Sequence, residues 1–125
     1  MREAHRGHMA PLPVLAAIAA LVPGFTVPES NFMLSSTRDG TLQIVNLVCE
    51  PNGGLHPRAD ETCSILSEVD GDVAGLVPGD GACTLEYAPV RVKAIGKWRG
   101  EKRTFEAEFP NACVMRSHTG PVFDF

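Results

Sequence analysis

The sequence predicts an α+β domain in which an antiparallel sheet of about five strands carries one or two short helices on one face. Several short segments alternate apolar and polar residues with the period of two that marks a half-buried strand. Turn residues, including an Asp-Gly pair, separate these segments. One stretch between them repeats apolar residues at helical spacing. The length of 125 residues suits one domain.

The N-terminal segment differs in composition from the rest of the chain. Arg2 and Arg6 precede an uncharged apolar run at residues 11–22, which is the arrangement of a secretory signal peptide. The run is shorter than the ~20 residues that cross a bilayer. We therefore expect residues 1–28 to be a signal peptide, with a boundary between residues 24 and 30, and residues 29–125 to be the mature secreted domain. A buried helix of the folded domain is the alternative.

The first predicted hairpin pairs residues 32–34 with residues 41–48. Asp39 and Gly40 between them are typical of a tight turn. Alternate residues of the second strand share one face, namely Leu42, Ile44, Asn46 and Val48.

A helix is predicted over residues 60–70, after a turn-rich segment that contains His56. Asp60 is the expected N-cap, and Glu61 suits the positive end of the helix dipole. The apolar residues at helical spacing are Cys63, Leu66 and Val69.

A second hairpin is predicted from residues 90–95 and 103–109, with its turn at residues 96–100. Phe105, Ala107 and Phe109 should face the core, and the charged residues Arg91, Lys93, Glu106 and Glu108 should form a solvated face. Residues 122–125 read as another short alternating segment.

The four cysteines are Cys49, Cys63, Cys83 and Cys113, and their pairing is open at this point because four cysteines allow three connectivities. Disulfides would indicate an oxidising compartment. A zinc site at Cys49, His56 and Cys63 is disfavoured, since structural zinc sites use closely spaced pairs such as C-x2-C. No metal or other cofactor is expected.

Charge and motifs disfavour several classes of function. The net charge is −4 with acids and bases interspersed, so neither a nucleic-acid partner nor, after signal removal, a membrane partner is expected. The chain has no G-x-S-x-G, H-E-x-x-H or Gly-rich phosphate loop. His118 is better explained as a turn histidine than as a member of a catalytic triad. We expect no enzyme activity.

Residues 79–89 are the candidate functional segment. Gly79 and Gly81 favour turns, and Pro89 pushes the preceding residue into an extended conformation. Leu85 lies between polar neighbours with no periodic pattern that would bury it. The segment therefore reads as an extended loop, tethered by Cys83, that displays Leu85. An ordinary loop held by a disulfide is the alternative.

The run Cys-Thr-Leu-Glu-Tyr-Ala-Pro-Val at residues 83–90, Trp-Arg-Gly at 98–100, Asn-Ala-Cys at 111–113 and the C-terminal Pro-Val-Phe-Asp-Phe resemble the Streptomyces subtilisin inhibitor family. The family comprises secreted protein inhibitors of serine proteases. The resemblance extends from about Ser30 to Phe125. It implies the α+β architecture above and the disulfides Cys49–Cys63 and Cys83–Cys113.

The resemblance further implies that Leu85–Glu86 is the reactive bond. The implied protease contacts are Ala82, Cys83, Thr84 and Tyr87, with Tyr87 and Pro89 also helping to hold the loop. The implied partner is an extracellular subtilisin-like or chymotrypsin-like serine protease. Members of the family often have proline in place of Thr84 and an apolar residue in place of Glu86.

The resemblance also implies a two-fold dimer that packs sheet faces around the first strand, through Phe32, Met33 and Leu34. A monomer in which a helix or the N-terminal segment covers this face is the alternative. The alternative function is a secreted, disulfide-stabilised binding module of the same fold with a non-protease partner.

Overall fold

The computed structural model describes residues 29–125, and five strands form one antiparallel sheet. The strands are β1 Ser30–Arg38, β2 Thr41–Cys49, β3 Gly53–Gly54, β4 Val90–Trp98 and β5 Glu101–Phe109. Their order in the sheet is β3-β2-β1-β4-β5. The helices are α1 Ala59–Glu68 and α2 Ala112–Thr119, with a 3-10 turn at Val73–Gly75. The predicted α+β class is confirmed.

The predicted signal peptide lies outside the described residues. Neither helix within residues 29–125 is long and apolar enough to span a membrane.

Both predicted hairpins are present, and each turns through two residues with positive φ. Asp39 (φ 50°) and Gly40 (φ 74°) connect β1 to β2. Arg99 (φ 47°) and Gly100 (φ 84°) connect β4 to β5. Two-residue turns of this kind match the right-handed twist of the flanking strands. The second turn is shorter than the predicted span of residues 96–100, because β4 continues through Gly96 to the buried Trp98.

The face of strand β2 that carries Leu42 and Ile44 points outward to solvent. Leu42 and Ile44 are 57% and 54% exposed, whereas Leu47 is buried. The cause is the pairing register: Phe32 of β1 lies opposite Leu47, and residues directly opposite each other share a face of the sheet. Since Phe32 is buried, Leu47 must face the core as well, and the alternate residues of β2 must face outward.

The same register corrects the residues predicted for a dimer contact. Phe32 and Leu34 are 3% and 1% exposed because they pack in the core beneath the helices, whereas Met33 between them is 54% exposed on the outer face. Side chains alternate between the two faces of a strand, so three consecutive residues cannot all contact one partner.

The core lies between the inner face of the sheet and the two helices. Leu66 of α1 and Met115 of α2 are fully buried there with Val92 and Trp98 of β4. Phe105, Ala107 and Phe109 pack against this cluster as predicted. Burying a large apolar side chain stabilises the fold by ~1.5–3 kcal/mol. On the outer face, Arg91 pairs with Glu108 at 3.1 Å and Lys93 with Glu106 at 3.9 Å, both exposed.

The C-terminal segment is not the alternating strand that was predicted. Val122 and Phe123 are consecutive and both fully buried after a turn. His56 holds this segment: its Nε2 lies 3.1 Å and 3.0 Å from the carbonyl oxygens of Pro121 and Val122, while Nδ1 accepts from the backbone N–H of Arg58. The partners assign the proton to Nε2.

Helix α1 begins at Ala59, two residues before the start that the predicted N-cap implies. Its N-cap is Arg58, which makes no side-chain cap hydrogen bond, so the prediction of Asp60 as the N-cap is wrong. Asp60 lies in the first turn, where its charge suits the helix dipole, and it accepts a hydrogen bond from Asn52 at 3.1 Å. The Cys49–Cys63 disulfide joins the end of β2 to this helix, with 5.6 Å between Cα atoms. In the chain-entropy model such a closure stabilises by about 3 kcal/mol.

An exposed ion pair connects the segment after β2 to the β4–β5 turn. The Arg99 guanidinium donates to the two carboxylate oxygens of Glu50 at 2.9 Å and 2.7 Å. These hydrogen bonds lower the pKa of Glu50 and raise the pKa of Arg99. Because both groups are exposed, the pair contributes little to stability.

Gly96 provides a test of the β1–β4 packing. A Cβ on Gly96 would lie 2.0 Å from the Asn31 carbonyl oxygen and 2.8 Å from the Phe32 Cα, so the strand would have to shift. We expect Gly96→Ala to lower the free energy of unfolding by about 2–3 kcal/mol, measured by guanidinium denaturation with the disulfides intact. Gly53→Ala is the control, because nothing lies within 4 Å of its Cβ. Equal stability of the two variants would contradict this packing.

Candidate functional site

Residues 76–89 connect the 3-10 turn to β4 without helix or strand. Leu85 is 100% exposed in this loop. A large apolar side chain held fully in solvent costs hydrophobic free energy and gains no packing in return. The predicted display of Leu85 is thus present, and the rest of the loop explains how that position is maintained.

Backbone hydrogen bonds hold both ends of the loop. The Gly79 N–H donates to the Ser117 carbonyl at 2.7 Å, and the Ser117 hydroxyl donates to the Gly79 carbonyl at 3.2 Å. At the other end the Ala88 N–H donates to the Pro110 carbonyl at 2.8 Å. Residues 80–87 therefore lie between two anchored points, one in the last turn of α2 and one just before its first residue.

The Cys83–Cys113 disulfide anchors the loop between these ends. The two Cα atoms are 5.8 Å apart, and Cys113 lies in the first turn of α2. The chain is thus attached to a helix two residues before Leu85. Together with Cys49–Cys63, this bond confirms the pairing that the family resemblance implied. The Cys49–Cys63 bond joins the two cysteines of the disfavoured zinc site.

Asn111 braces the loop on both sides of Leu85, and it was not identified as a functional residue from the sequence. Its side-chain Nδ2 donates to the carbonyl oxygens of Thr84 at 3.2 Å and Glu86 at 2.8 Å. Its Oδ1 accepts from the Val114 N–H at 2.9 Å, so the same amide is the N-cap of α2. Asn111 is 5% exposed, which makes all three hydrogen bonds hard for water to replace.

The sequence signal for Asn111 was an N-cap residue ahead of a short helix that was itself not predicted. Even with that helix, the identity of the two accepting carbonyls depends on tertiary structure. The terminal residues of α2 correct a second interpretation: His118 is in the last helical turn rather than an irregular turn, with its ring 5.4 Å from that of Phe109.

Tyr87 does not hold the loop as predicted. Its side chain is 77% exposed and makes no hydrogen bond or ring contact with the rest of residues 29–125. Asn111 and the disulfide supply the rigidity instead. Tyr87 nevertheless lies on the same exposed strip as the other predicted contact residues, Ala82, Thr84, Leu85 and Glu86, with Cys83 half-buried beneath them.

This arrangement suits recognition of an extended main chain. An extended segment can add to a partner by main-chain hydrogen bonds while single side chains enter pockets. Because the carbonyls on either side of Leu85 are already bonded to Asn111, the Leu85–Glu86 peptide group keeps one orientation. The site therefore presents the fully exposed Leu85 side chain and the Leu85–Glu86 peptide bond in a preset geometry.

Comparisons with known proteins find similar sequences over most of the chain. The profile of the subtilisin inhibitor-like family matches residues 29–111. A subtilase-type protease inhibitor of Streptomyces fradiae is 38% identical over 130 aligned positions, covering 90% of this chain and 92% of the relative. Subtilisin inhibitor-like protein 2 of Streptomyces rochei is 40% identical over 93 positions, covering 73% of this chain and 82% of the relative.

A solved structure shares the fold. It is that of Streptomyces caespitosus sermetstatin in complex with Bacillus licheniformis subtilisin, with a TM-score of 0.61 and 24% sequence identity, covering 77% of this chain and 98% of that one.

The two roles of Asn111 can be separated by two substitutions. Asn111→Ser keeps an N-cap acceptor but removes the Nδ2 donors, and Asn111→Ala removes both. We expect both variants to raise amide hydrogen exchange and backbone mobility at residues 84–87, read by NMR. Only Asn111→Ala should lose the additional ~1 kcal/mol of stability that an N-cap contributes. A loop as ordered in Asn111→Ser as in the parent would show that the disulfide alone suffices.

Proposed function

The chain belongs to the subtilisin inhibitor-like family, and on that premise we propose that it is a secreted inhibitor of subtilisin-like serine proteases with Leu85–Glu86 as its reactive bond. The family consists of protease inhibitors rather than enzymes, in agreement with the expectation of no enzyme activity. The observation that supports the reactive bond is the fully exposed Leu85 between two carbonyls held by Asn111.

In the proposed complex the loop occupies the protease as a substrate would. The Leu85 side chain enters the primary specificity pocket, and its carbonyl oxygen points to the oxyanion hole. Ala82, Cys83 and Thr84 lie along the enzyme as an added strand, and Tyr87 contacts it on the leaving-group side. Leucine suits the apolar pockets of subtilisin-like and chymotrypsin-like enzymes. It carries no cation for the buried aspartate of a trypsin-like pocket.

Tight binding follows from the loop being ordered beforehand. Ordering a rotamer-rich side chain on binding costs ~0.5–1.5 kcal/mol, and ordering a loop costs more. Because the disulfide and the Asn111 hydrogen bonds order the loop during folding, less conformational entropy is lost when it binds. The loop therefore binds more tightly than a flexible substrate of the same sequence.

Slow turnover follows from the same braces. If the Leu85–Glu86 bond is cut, Cys83 remains bonded to α2 on the acyl side, and Ala88 remains bonded to Pro110 on the amine side. Asn111 bonds to carbonyls on both sides of the cut. The new amine thus stays next to the acyl group at a high effective concentration, so the peptide bond re-forms before water enters.

Secretion is part of the proposal. Two disulfides in residues 29–125 suit an oxidising extracellular environment rather than the cytosol. The signal peptide at residues 1–28 stays a prediction from the sequence.

We also propose a two-fold dimer through the outer face of the sheet, with a contact set different from the one predicted. Met33 lies directly opposite Ile95 in the β1–β4 register. With Ile44 of β2 they form an exposed apolar patch at the centre of the sheet, 54%, 48% and 54% exposed respectively. An isologous contact buries this patch on both subunits. The Leu85 loop is attached to α2 on the opposite side of the sheet, so the dimer offers two free protease sites.

Inhibition assays with a charge-matched control test the reactive bond. The parent should inhibit subtilisin at stoichiometric concentration. Leu85→Lys should weaken subtilisin inhibition about tenfold or more and gain inhibition of trypsin, because lysine pairs with the pocket aspartate. Leu55→Lys makes the same charge change at an exposed residue outside the loop and should behave as the parent.

Two results would count against this assignment. If Leu85→Lys inhibited subtilisin as the parent does and gained nothing against trypsin, Leu85 would not be the primary contact. If the parent, with native disulfides, did not inhibit serine proteases, the protein would be a binding module of this fold with another partner.

Sedimentation of the mature protein at micromolar concentration tests the dimer. We expect a mass of two chains for the parent and of one chain for Met33→Asp, because a carboxylate at the centre of the apolar contact would be desolvated without a partner. Leu55→Asp is the control, since Leu55 is exposed outside the patch, and it should remain dimeric. A one-chain mass for the parent at all concentrations would rule the contact out.

A further inference from the structure

We propose that Arg38 is a positioning residue for the reactive bond, acting through an ion pair between its guanidinium and the Glu86 carboxylate in the cleft beneath the loop. The inference rests on the proposed function, because Glu86 is the residue on the leaving-group side of Leu85. It concerns the end of β1, a part of the chain that contains none of the predicted protease contacts.

The cleft separates the loop from the body of the protein and has a volume of about 270 Å³. Over residues 84–88 the loop contributes alternate residues to the lining, namely Thr84, Glu86 and Ala88, whereas Leu85 and Tyr87 do not line it; Pro89 lines it at the end of the loop. Successive side chains of an extended segment point in opposite directions. Because the Leu85 side chain points outward into solvent, the side chain of Glu86 points inward to the cleft.

The body of the protein contributes Arg38 to the same cleft. Arg38 is the last residue of β1 and lies opposite Val90, the residue that begins β4 shortly after Glu86. Register thus places a cation beside the point where the loop re-enters the sheet. The β1–β2 hairpin has a two-residue turn, and Arg38 at the end of β1 and Asp39 in the turn line the same cleft as Glu86.

The guanidinium of Arg38 lacks a proper acceptor within residues 29–125. Its Nη2 lies 4.0 Å from the Met115 sulfur, which is a weak acceptor. Its Nε is buried with no hydrogen-bond partner. Buried donors are rarely left unsatisfied in native proteins, so a nearby group of complementary charge is expected to move to this position.

Glu86 is the carboxylate best placed to do so. Among residues 29–125 neither Arg38 nor Glu86 takes part in an ion pair. The second carboxylate of the lining, Asp39, is confined by the hairpin turn at φ 50°. The second cation, Arg116, already lies 3.9 Å from Asp124. A rotation of the exposed Glu86 side chain toward Arg38 pairs the two remaining charges.

The pair would complete the hold on the leaving-group side. Asn111 binds the Glu86 carbonyl, and Arg38 would bind its side chain, so the residue would be held at two points. Thr84 lacks the ring by which the proline often found at this position restricts the backbone. The loop therefore depends on hydrogen bonds and ion pairs from side chains such as these. Because the guanidinium is planar and has several donors, it can hold a carboxylate in one orientation.

A double-mutant cycle tests the pair through Arg38→Gln, Glu86→Gln and the combined variant. We expect each single substitution to weaken subtilisin inhibition and to speed cleavage of the Leu85–Glu86 bond about five- to tenfold. The combined variant should be no worse than Glu86→Gln alone, since the partner is already missing. Arg116→Gln removes the same charge from the same cleft and should have little effect, and Arg38→Lys should recover part of the loss.

A second measurement needs no protease. In the free protein, NMR order parameters of the residue 85–87 amides should fall from rigid values near 0.85 toward 0.6 in either single variant, with no further fall in the combined one. Failure of the parent to inhibit would overturn the proposed function, and this measurement would still decide the pair. The pair would be ruled out if the two substitutions acted independently in both measurements. In that case the combined variant would be affected more strongly than Glu86→Gln alone. Because Glu86→Gln alters an exposed residue, its effect on inhibition and on the order parameters can be measured even if Arg38→Gln unfolds the protein.

Discussion

The start of helix α2 is the constraint on which the site depends. Asn111 caps the helix with its side-chain oxygen and binds the loop with its side-chain nitrogen, and Cys113 attaches the loop to the same turn by a covalent bond. The loop can therefore keep its shape only while α2 stays in place. Since Met115 of α2 is fully buried under the sheet, the stability of the core is transmitted to an otherwise exposed loop.

The two faces of the sheet carry different sets of side chains because side chains alternate along every strand. The inner face buries Phe32 and Leu34 against the helices and so supports the loop. The outer face leaves the apolar side chains of Met33, Ile44 and Ile95 about half exposed to solvent. A contact on the outer face leaves the loop free, so assembly and protease binding would not compete for surface.

Rigidity in this site comes from several weak braces and one covalent bond rather than from burial. The displayed residues 84–87 are all exposed, so packing cannot hold them. Hydrogen bonds to carbonyls leave the side chains available to a partner, which apolar packing would not. This explains why the loop can be both well ordered and fully accessible.

Features that depend on residues close together in the chain could be predicted from the sequence. The Asp39-Gly40 turn, the alternating β5 residues and the helical spacing of Cys63 and Leu66 depend on neighbours in the chain, and the structure has each of them. The exposed Leu85 followed from the absence of any burying pattern, and the disulfide pairing followed from resemblance to the family. These features involve preferences that act over a few residues, or a motif long enough to be recognised.

Contacts between distant segments were decided only by the tertiary structure. The outward face of Leu42 and Ile44 depends on pairing with β1, because a shift of one residue reverses the faces of a strand. The burial of both Val122 and Phe123 depends on the core and on His56. The role of Asn111 depends on which carbonyls the loop brings near it, and the approach of Arg38 to the cleft depends on the β1–β4 register. None of these is encoded by local spacing, since each requires two segments far apart in sequence to meet.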